Sequence, residues 1–278
     1  MGRTFGTPED EARKPAETPG ALSVEDRTIA GHARDIRLRL YRPATAGALP
    51  GVLYFHGGGF TSGSIETAEA AAAGLAQGVP ALVVSVGYSL APDHPFPTAA
   101  LDAYRAARWT EDAARMLGVS GPGLGVAGHD AGGHVAVSLT LIARDQGDVA
   151  IAAQALLAPM LDPSLTRARA PADGAARTVA DCARCYRAYL PDPSSRMHPY
   201  AAPLDSRRIV HLPPALVVTA QDDVLRAEAE GYAARLVKAG IPTEVARFRG
   251  VSHATLPDHP AVLSAVSQFL RRHLAGGA

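Results

Sequence analysis

The sequence lacks several features that would assign a function class at once. Lys plus Arg and Asp plus Glu are balanced at 27 each, so the formal net charge is zero. A protein that binds nucleic acid or an anionic membrane through a basic surface carries an excess of cations. No apolar run approaches the ~20 residues that span a bilayer, and residues 1–20 contain no signal-peptide segment. These absences predict a cytoplasmic protein with a small-molecule substrate, and neither nucleic acid nor membrane as partner.

Cysteine is also scarce. The 278 residues include only two, Cys182 and Cys185, and no second Cys or His pair lies at the spacing of a zinc site. A CxxC pair also occurs in redox proteins, but no thioredoxin-like pattern surrounds this one. We interpret both residues as small side chains on a helix, and we expect no metal and no cofactor.

The sequence does contain short apolar runs that alternate with helical patterns. Ile36, Leu38 and Leu40 alternate with more polar residues, which is the period of a half-buried strand. Further strands are predicted at residues 52–55, 81–86, 123–127, 152–157, 215–220 and 243–248. Helices are predicted at residues 66–77, 99–117, 135–143, 181–190, 226–239 and 261–274. This alternation predicts an α/β fold with a mostly parallel sheet and helices on both faces. We expect a flexible arm at residues 1–20, and one domain at 21–278 with a small lid insertion at about 162–200.

One stretch between a predicted strand and a predicted helix reads Gly128-His129-Asp130-Ala131-Gly132-Gly133. A strand, a residue flanked by glycines and a helix form the layout of a nucleophile elbow, in which a sharp turn raises one side chain above the sheet. The motif normally carries serine at the raised position, whereas this chain carries Asp130. A serine needs a base to remove its proton, but an aspartate is already ionised near neutral pH.

Two other motifs accompany the elbow. His56-Gly57-Gly58-Gly59-Phe60 follows a predicted strand, and consecutive glycines allow backbone N–H groups to approach a developing oxyanion. A nucleotide-binding loop is disfavoured, because neither a GxGxxG spacing nor a following Lys-Ser/Thr is present. Asp222-Asp223 follows one late strand and His253 follows the next. The order of elbow residue, acid and histidine is that of an α/β-hydrolase.

Together with residues 88–97, 212–220 and 250–253, these motifs make the chain similar to a known family from about Leu49 to its C-terminus. It resembles the hormone-sensitive-lipase-like branch of the α/β-hydrolases, which contains bacterial carboxylesterases and lipases. The resemblance implies an α/β-hydrolase fold. Relatives commonly dimerise through the last strand and helix, here residues 243–248 and 261–274, so a homodimer is expected by analogy.

The resemblance also implies roles for single residues. His253 matches the catalytic base and Asp223 matches the acid that orients it. The backbone N–H groups of the oxyanion hole match Gly58, Gly59 and Ala131. The family's elbow usually reads G-D-S-A-G, so this chain departs from the family at His129 and Asp130.

The aspartate changes the expected chemistry. Attack of a carboxylate on an ester carbonyl would give a mixed anhydride, so we expect weak carboxylesterase activity. Attack on an sp3 carbon would instead open an epoxide or expel a halide, and would leave an alkyl ester of Asp130. His253, oriented by Asp223, could then activate water to hydrolyse that ester. By resemblance of their elbows, epoxide hydrolases and haloalkane dehalogenases work in this way.

Of these two reactions, epoxide hydrolysis is favoured, on a small or aromatic substrate of secondary-metabolite type. The halide pocket of dehalogenases uses Trp or Asn N–H donors, and the single tryptophan, Trp109, lies on a predicted helix. Epoxide opening needs an acid, a role that tyrosine serves in epoxide hydrolases. The candidates are Tyr186 and Tyr189, which share a helix face, then Tyr88, with His129 as a further substrate-binding candidate. Tyr186 is the first choice.

Three alternatives stay open from the sequence. The protein could be a dehalogenase. It could be a non-hydrolytic catalyst in which Asp130 is a general base for an elimination, cyclisation or isomerisation. It could also be a pseudo-enzyme that binds a ligand in the pocket of an esterase frame.

Overall fold

A computed structural model of the protein describes residues 21–45, 47–168 and 178–275. The strands are β1 (Leu22–Ala30), β2 (Asp35–Pro43), β3 (Gly51–Phe55), β4 (Leu82–Gly87), β5 (Leu124–His129), β6 (Ile151–Leu157), β7 (Ala215–Ala220) and β8 (Thr243–Phe248). The helices are α1 (Glu69–Gly78), α2 (Thr98–Asp112), α3 (Ala114–Leu117), α4 (Ala131–Gln146), α5 (Val179–Tyr189), α6 (Arg226–Lys238) and α7 (Pro260–Leu274). Two 3-10 helices span Pro193–Met197 and Leu256–Asp258. The predicted arm at residues 1–20 and part of the predicted lid, residues 169–177, lie outside the described residues.

All eight strands form one sheet in the order β1-β2-β4-β3-β5-β6-β7-β8. The pairs β1–β2 and β2–β4 are antiparallel, and the other neighbours are parallel. Helices α1 and α7 contribute to the core on one face, and α2, α4 and α6 to the core on the other. The predicted α/β-hydrolase fold is therefore confirmed. Because ligands of such sheets bind outside the carboxyl ends of the strands, the loops after β3, β5, β7 and β8 are the ones that can build a site.

The hydrophobic alternation in β2 determines which side of the strand faces the core. Ile36, Leu38 and Leu40 are buried, whereas Arg37 is exposed. Burial of each such side chain stabilises the fold by about 1.5–3 kcal/mol, so a one-residue slip in register would be strongly unfavourable. The prediction of a half-buried strand here is confirmed.

The helix predicted at residues 99–117 is interrupted. α2 ends at Asp112, Ala113 has a ψ angle near 0°, and α3 then turns to bury Leu117. Gly118 ends α3 in the left-handed conformation, with φ at 57°. The prediction of one continuous helix was wrong because no glycine or proline marks Ala113, where the chain bends to fit the core.

Helix α5 lies within the predicted lid. A capping box begins it: Thr178 Oγ1 accepts from Asp181 N at 3.2 Å, and Asp181 Oδ2 accepts from Thr178 N at 3.0 Å. Cys182 is buried and Cys185 half-buried on this helix, and neither forms a disulfide within the described residues. No helix in the described ranges could span a bilayer. The lid and the homodimer, which by analogy would use the edge strand β8 and α7, stay predictions.

Candidate active site

Asp130 lies at the sharp turn between β5 and α4. Its φ of 57° and ψ of −118° are strained for a residue with a side chain. The turn requires glycine on both sides, since a Cβ on Gly128 would lie 2.3 Å from Gly132 O, and one on Gly132 would lie 2.1 Å from Phe55 O. A backbone hydrogen bond from Asp130 N to Leu157 O, 2.9 Å long, fixes the turn. The geometry is that of a nucleophile elbow with a carboxylate at its tip.

The loop after β3 donates two backbone hydrogen bonds to this carboxylate. Gly58 N lies 3.0 Å and Gly59 N 2.8 Å from Asp130 Oδ2. Gly58 has a φ of +123°, and a Cβ there would lie 2.2 Å from Ser62 O, so the position needs glycine. Ala131, the third donor that the resemblance implies, is the first residue of α4. One oxygen of Asp130 therefore occupies two of the donors expected to bind an oxyanion.

His253, in the loop after β8, lies between two carboxylates. Its Nδ1 is 2.7 Å from Asp223 Oδ2, and its Nε2 is 3.6 Å from Asp130 Oδ1. Asp223 follows β7, and its other oxygen accepts a hydrogen bond of 2.9 Å from Leu225 N. Burial lowers the pKa of His253, but the carboxylates of Asp130 and Asp223 outweigh it and raise this pKa to about 9. The imidazole is therefore protonated at neutral pH, with one N–H facing each carboxylate.

A cavity of about 370 Å³ adjoins Asp130. Its lining includes Gly58, His129 and His253, together with small residues such as Ala71 of α1. This volume is in the range of small-molecule sites. A larger cavity of about 610 Å³ lies at the opposite end of the sheet, beside the start of β6, and its lining includes none of the predicted site residues. We therefore consider the cavity at Asp130 to be the candidate substrate site.

The three candidate tyrosine acids are buried in the structure and lie outside the lining of the cavity at Asp130. The Tyr88 hydroxyl donates to His56 O at 2.8 Å, and its ring stacks on the His56 ring with centroids 4.2 Å apart. Tyr186 and Tyr189 are fully buried on α5, and Tyr189 stacks on Phe60 at 3.9 Å. Burial raises the pKa of all three tyrosines. None of them lines the cavity at Asp130, and their role as the acid stays a prediction.

His129 is the candidate that does line this cavity. Its ring centroid lies 4.6 Å from that of His253. The ring packs on the backbone of Gly57, where an added Cβ would lie 2.6 Å from His129 Nδ1. Of the proposed acid and substrate-binding residues, His129 is thus the one that shares a cavity with Asp130 and His253.

The sequence did not indicate four other polar lining residues, which are Tyr54, Ser62, Thr67 and Asp258. Tyr54 is on β3, Thr67 precedes α1, and Asp258 ends the 3-10 helix that follows His253. Asp258 is only five residues beyond His253 in the chain, and this proximity is a signal that could have identified it. The other three lie within about ten residues of the glycine loop, and their closeness to that motif in the chain is a similar signal.

Comparison with known proteins places this geometry in a family. The model of a family described as alpha/beta hydrolase fold matches residues 52–257. Esterase LipI of Mycobacterium tuberculosis is 36% identical over 263 residues, which cover 91% of this chain and 81% of the relative. An arylesterase of Saccharolobus solfataricus is 34% identical over 227 residues, covering 80% of this chain and 73% of the relative.

Solved structures give the same result. A hyperthermophilic esterase from the archaeon Pyrobaculum calidifontis superposes with a TM-score of 0.83 at 37% identity, covering 90% of this chain and 85% of the esterase. A thermostable esterase from Pseudomonas putida superposes with a TM-score of 0.85 at 34% identity, covering 94% of this chain and 86% of the esterase. Sequence and fold thus agree over most of the chain.

Proposed function

The chain belongs to the α/β-hydrolase fold family, in its hormone-sensitive-lipase-like branch, and from this premise we propose that it hydrolyses epoxides through a covalent ester of Asp130. One observation carries the proposal. Asp130 Oδ2 already accepts hydrogen bonds from Gly58 N and Gly59 N, while Oδ1 faces His253 Nε2 at 3.6 Å. A carboxylate nucleophile needs its two oxygens in these two environments. One oxygen attacks carbon, and the other lies where negative charge develops when the ester is hydrolysed.

In the first step, Asp130 Oδ1 attacks an epoxide carbon. A new C–Oδ1 bond forms, the C–O bond of the ring breaks, and the released alkoxide takes a proton. Among the candidate donors, His129 lines the same cavity as Asp130. The product of this step is a hydroxyalkyl ester, in which Asp130 has lost its negative charge.

In the second step, this loss of charge makes His253 a base. With Asp130 neutral, one of the two carboxylates that raise the pKa of His253 is gone, so the ring releases its proton to solvent, and this balances the proton that the alkoxide took in the first step. The neutral ring takes a proton from water, and the hydroxide attacks Cγ of Asp130. Negative charge then develops on Oδ2, where the N–H groups of Gly58 and Gly59 stabilise it. The Cγ–Oδ1 bond breaks, the leaving oxygen takes a proton from His253, and the diol departs with Oδ1. The new carboxyl group of Asp130 then gives its proton to the ring, which restores the resting state.

Ester hydrolysis, the activity after which the relatives are named, fits this site less well. A substrate carbonyl would need the N–H groups of Gly58 and Gly59, which already bind Asp130. Displacing the carboxylate would cost its charge-assisted hydrogen bonds, about 1.5–3 kcal/mol each. The resulting mixed anhydride would also be more reactive than an acyl-serine. We therefore expect only weak carboxylesterase activity.

The other two reactions lack a supporting contact among the described residues. Trp109 packs against the core from α2 and does not line the cavity at Asp130, so its N–H is not a halide donor there. General-base catalysis by Asp130 would use the two glycine N–H groups only to orient the carboxylate, whereas the ester mechanism also gives them a tetrahedral intermediate to stabilise.

Single turnover in water enriched in the heavy oxygen isotope tests the proposal. With protein in excess over phenyl glycidyl ether, we expect the isotope in the peptide that contains Asp130 and unlabelled oxygen in the diol. His253→Gln should stop at the ester, visible as an adduct by intact-protein mass spectrometry. Asp130→Ala is the control and should give neither label nor adduct. Turnover without label in Asp130 would refute its role as nucleophile and favour general-base chemistry. Binding without turnover of any epoxide or halide would indicate a pseudo-enzyme.

A further inference from the structure

Tyr54 and Asp258 form part of the wall of the cavity at Asp130. Tyr54 is 1% exposed, and its hydroxyl has no hydrogen-bond partner among the described residues. Asp258 likewise has no ion pair or hydrogen bond with any part of the described chain. The phenol and the carboxylate line the same cavity; burial raises the pKa of Tyr54, and the charge of Asp258 raises it further. A buried phenol beside a carboxylate is a combination that can bind a ligand.

The charge around the cavity is predominantly negative. Asp130 and Asp258 line it, and Asp223 lies directly behind His253. The protonated ring of His253 offsets one of these three carboxylates. No Lys or Arg is among the described lining residues, and burial lowers the pKa of His56, so that ring adds no positive charge at neutral pH. In a cleft with low-dielectric walls such a charge imbalance is amplified and attracts cations.

We propose that this cavity takes a substrate that carries an ammonium group, which Asp258 and Tyr54 bind while the reactive carbon faces Asp130. An ammonium ion forms a charge-assisted contact with a carboxylate and is attracted to the lone pairs of a phenol oxygen. Anionic substrates are repelled by the same wall. The inference deepens the proposed function, since it assumes that the cavity at Asp130 is the substrate site.

Equilibrium binding tests the ammonium site without requiring turnover. Choline and 3,3-dimethylbutan-1-ol have nearly the same shape, but only choline is charged. Calorimetry with the whole protein should show choline binding about tenfold more tightly than the neutral alcohol. Asp258→Asn keeps the size of the side chain and should weaken choline binding about threefold to fivefold, as expected for a partly exposed ion pair. The neutral alcohol should bind this variant as it binds the parent.

Asp112→Asn is the matched control, because Asp112 is exposed at the end of α2 and does not line the cavity. It should leave both affinities unchanged. Equal binding of choline and the neutral alcohol would overturn the inference. So would choline binding that Asp258→Asn leaves unchanged. If Asp258→Asn weakened both ligands alike, the carboxylate would be accepting a bond from the hydroxyl, and the ammonium site would again be refuted.

A turnover experiment separates this inference from the proposed function. Glycidyltrimethylammonium and its tert-butyl analogue, in which carbon replaces nitrogen, are epoxides of one shape. The cationic epoxide should have a kcat/KM about tenfold higher than that of the neutral epoxide. Asp258→Asn should reduce this preference for the cationic epoxide. If neither epoxide forms an adduct on Asp130 while choline keeps its preference, the proposed function fails and the ammonium site stands. If both form the adduct at equal rates, the ammonium site fails and the nucleophile stands.

Discussion

Two carboxylates face the imidazole of His253 from opposite sides, and they are held in different ways. Asp223 Oδ2 is 2.7 Å from Nδ1, and the other oxygen of Asp223 binds Leu225 N. Asp130 is anchored through Oδ2 by the N–H groups of Gly58 and Gly59, and its Oδ1 is 3.6 Å from Nε2. One carboxylate thus contacts the ring at hydrogen-bond distance, while the other is anchored elsewhere and lies beyond that distance.

This difference shows how one kind of side chain can serve two roles in a single site. A carboxylate in close contact with an imidazole orients the ring and stabilises its positive charge. A carboxylate that other donors hold, at a longer distance from the ring, can bond to carbon without first losing a short hydrogen bond to that ring. The proposed roles of orienting acid for Asp223 and nucleophile for Asp130 follow from these distances, and the experiments below can separate them.

Removal of each carboxylate should affect a different step. Asp130→Ala should lower epoxide turnover by at least about 10³-fold with no covalent adduct, because the nucleophile is absent. Asp223→Asn should still open the ring and should accumulate the ester, because only the hydrolytic step needs an oriented base. Rapid quench with intact-protein mass spectrometry measures both. An adduct that fails to build up in Asp223→Asn would mean that the two carboxylates act in the same step.

Asp130→Ser should gain activity of another kind. Serine vacates the N–H groups of Gly58 and Gly59 and can be activated by His253, so hydrolysis of p-nitrophenyl acetate should rise about 10²-fold over the parent. Asp130→Ala vacates the same donors without supplying a nucleophile, and should stay near the parent rate. An equal gain in both variants would show that the freed donors alone account for the effect.

The protonated state of His253 should appear in the stability of the fold. A group whose pKa rises on folding, here from 6.5 to about 9, stabilises the folded state fully below pH 6.5, and this contribution is lost as the pH increases to about 9. The contribution is on the order of 3 kcal/mol, and His253→Gln should lack it. Urea unfolding at a series of pH values measures the difference between parent and variant. Asp130→Asn and Asp223→Asn should each remove part of it, because both carboxylates raise this pKa; a variant that kept the full pH dependence would contradict the placement of the ring between two carboxylates.

The smallest effect on turnover is expected from a change in Tyr88, which contacts the residue just before the glycine loop that donates to Asp130. Tyr88→Phe removes the hydrogen bond to His56 O, just before the glycine loop, and should destabilise the fold by about 1–3 kcal/mol. Turnover should decrease less than about tenfold. Tyr200→Phe is the control, because its hydroxyl bonds to Asp145 Oδ2 at 2.8 Å outside the cavity. It should leave turnover unchanged, and an equal decrease in both variants would show that the effect is not transmitted through His56.

Local sterics explain why much of the site could be anticipated. Gly128 and Gly132 have backbone atoms 2.1–2.3 Å from where a Cβ would lie, so the elbow can be identified from its glycines alone. The core of β2 follows in the same way from Ile36, Leu38 and Leu40. The contact at Gly128 and the alternation in β2 arise within a few residues, whereas Gly132 faces Phe55 O, which is distant in the chain.

Features that depend on distant contacts could not be anticipated. The Tyr88 hydroxyl is engaged by His56 O, 32 residues away in the chain. Tyr54 and Asp258 meet at one cavity from β3 and from the turn before α7. The conformation that directs Asp130 Oδ2 to Gly58 and Gly59 also depends on a loop 71 and 72 residues away. The break at Ala113 has the same origin, because the core rather than the local sequence requires it.

The two hydrogen bonds to Asp130 Oδ2 distinguish the two oxygens of one carboxylate. In the proposed reaction, Oδ1 leaves with every molecule of product and solvent replaces it, whereas Oδ2 remains with Gly58 and Gly59. As long as these bonds prevent the carboxylate from rotating, Oδ1 is replaced at each cycle, whereas Oδ2 is the oxygen with which the protein was synthesised. Extended turnover in isotopically heavy water should therefore incorporate one heavy oxygen atom into this side chain and no second one. The remaining light oxygen would be the one that the backbone N–H groups bind.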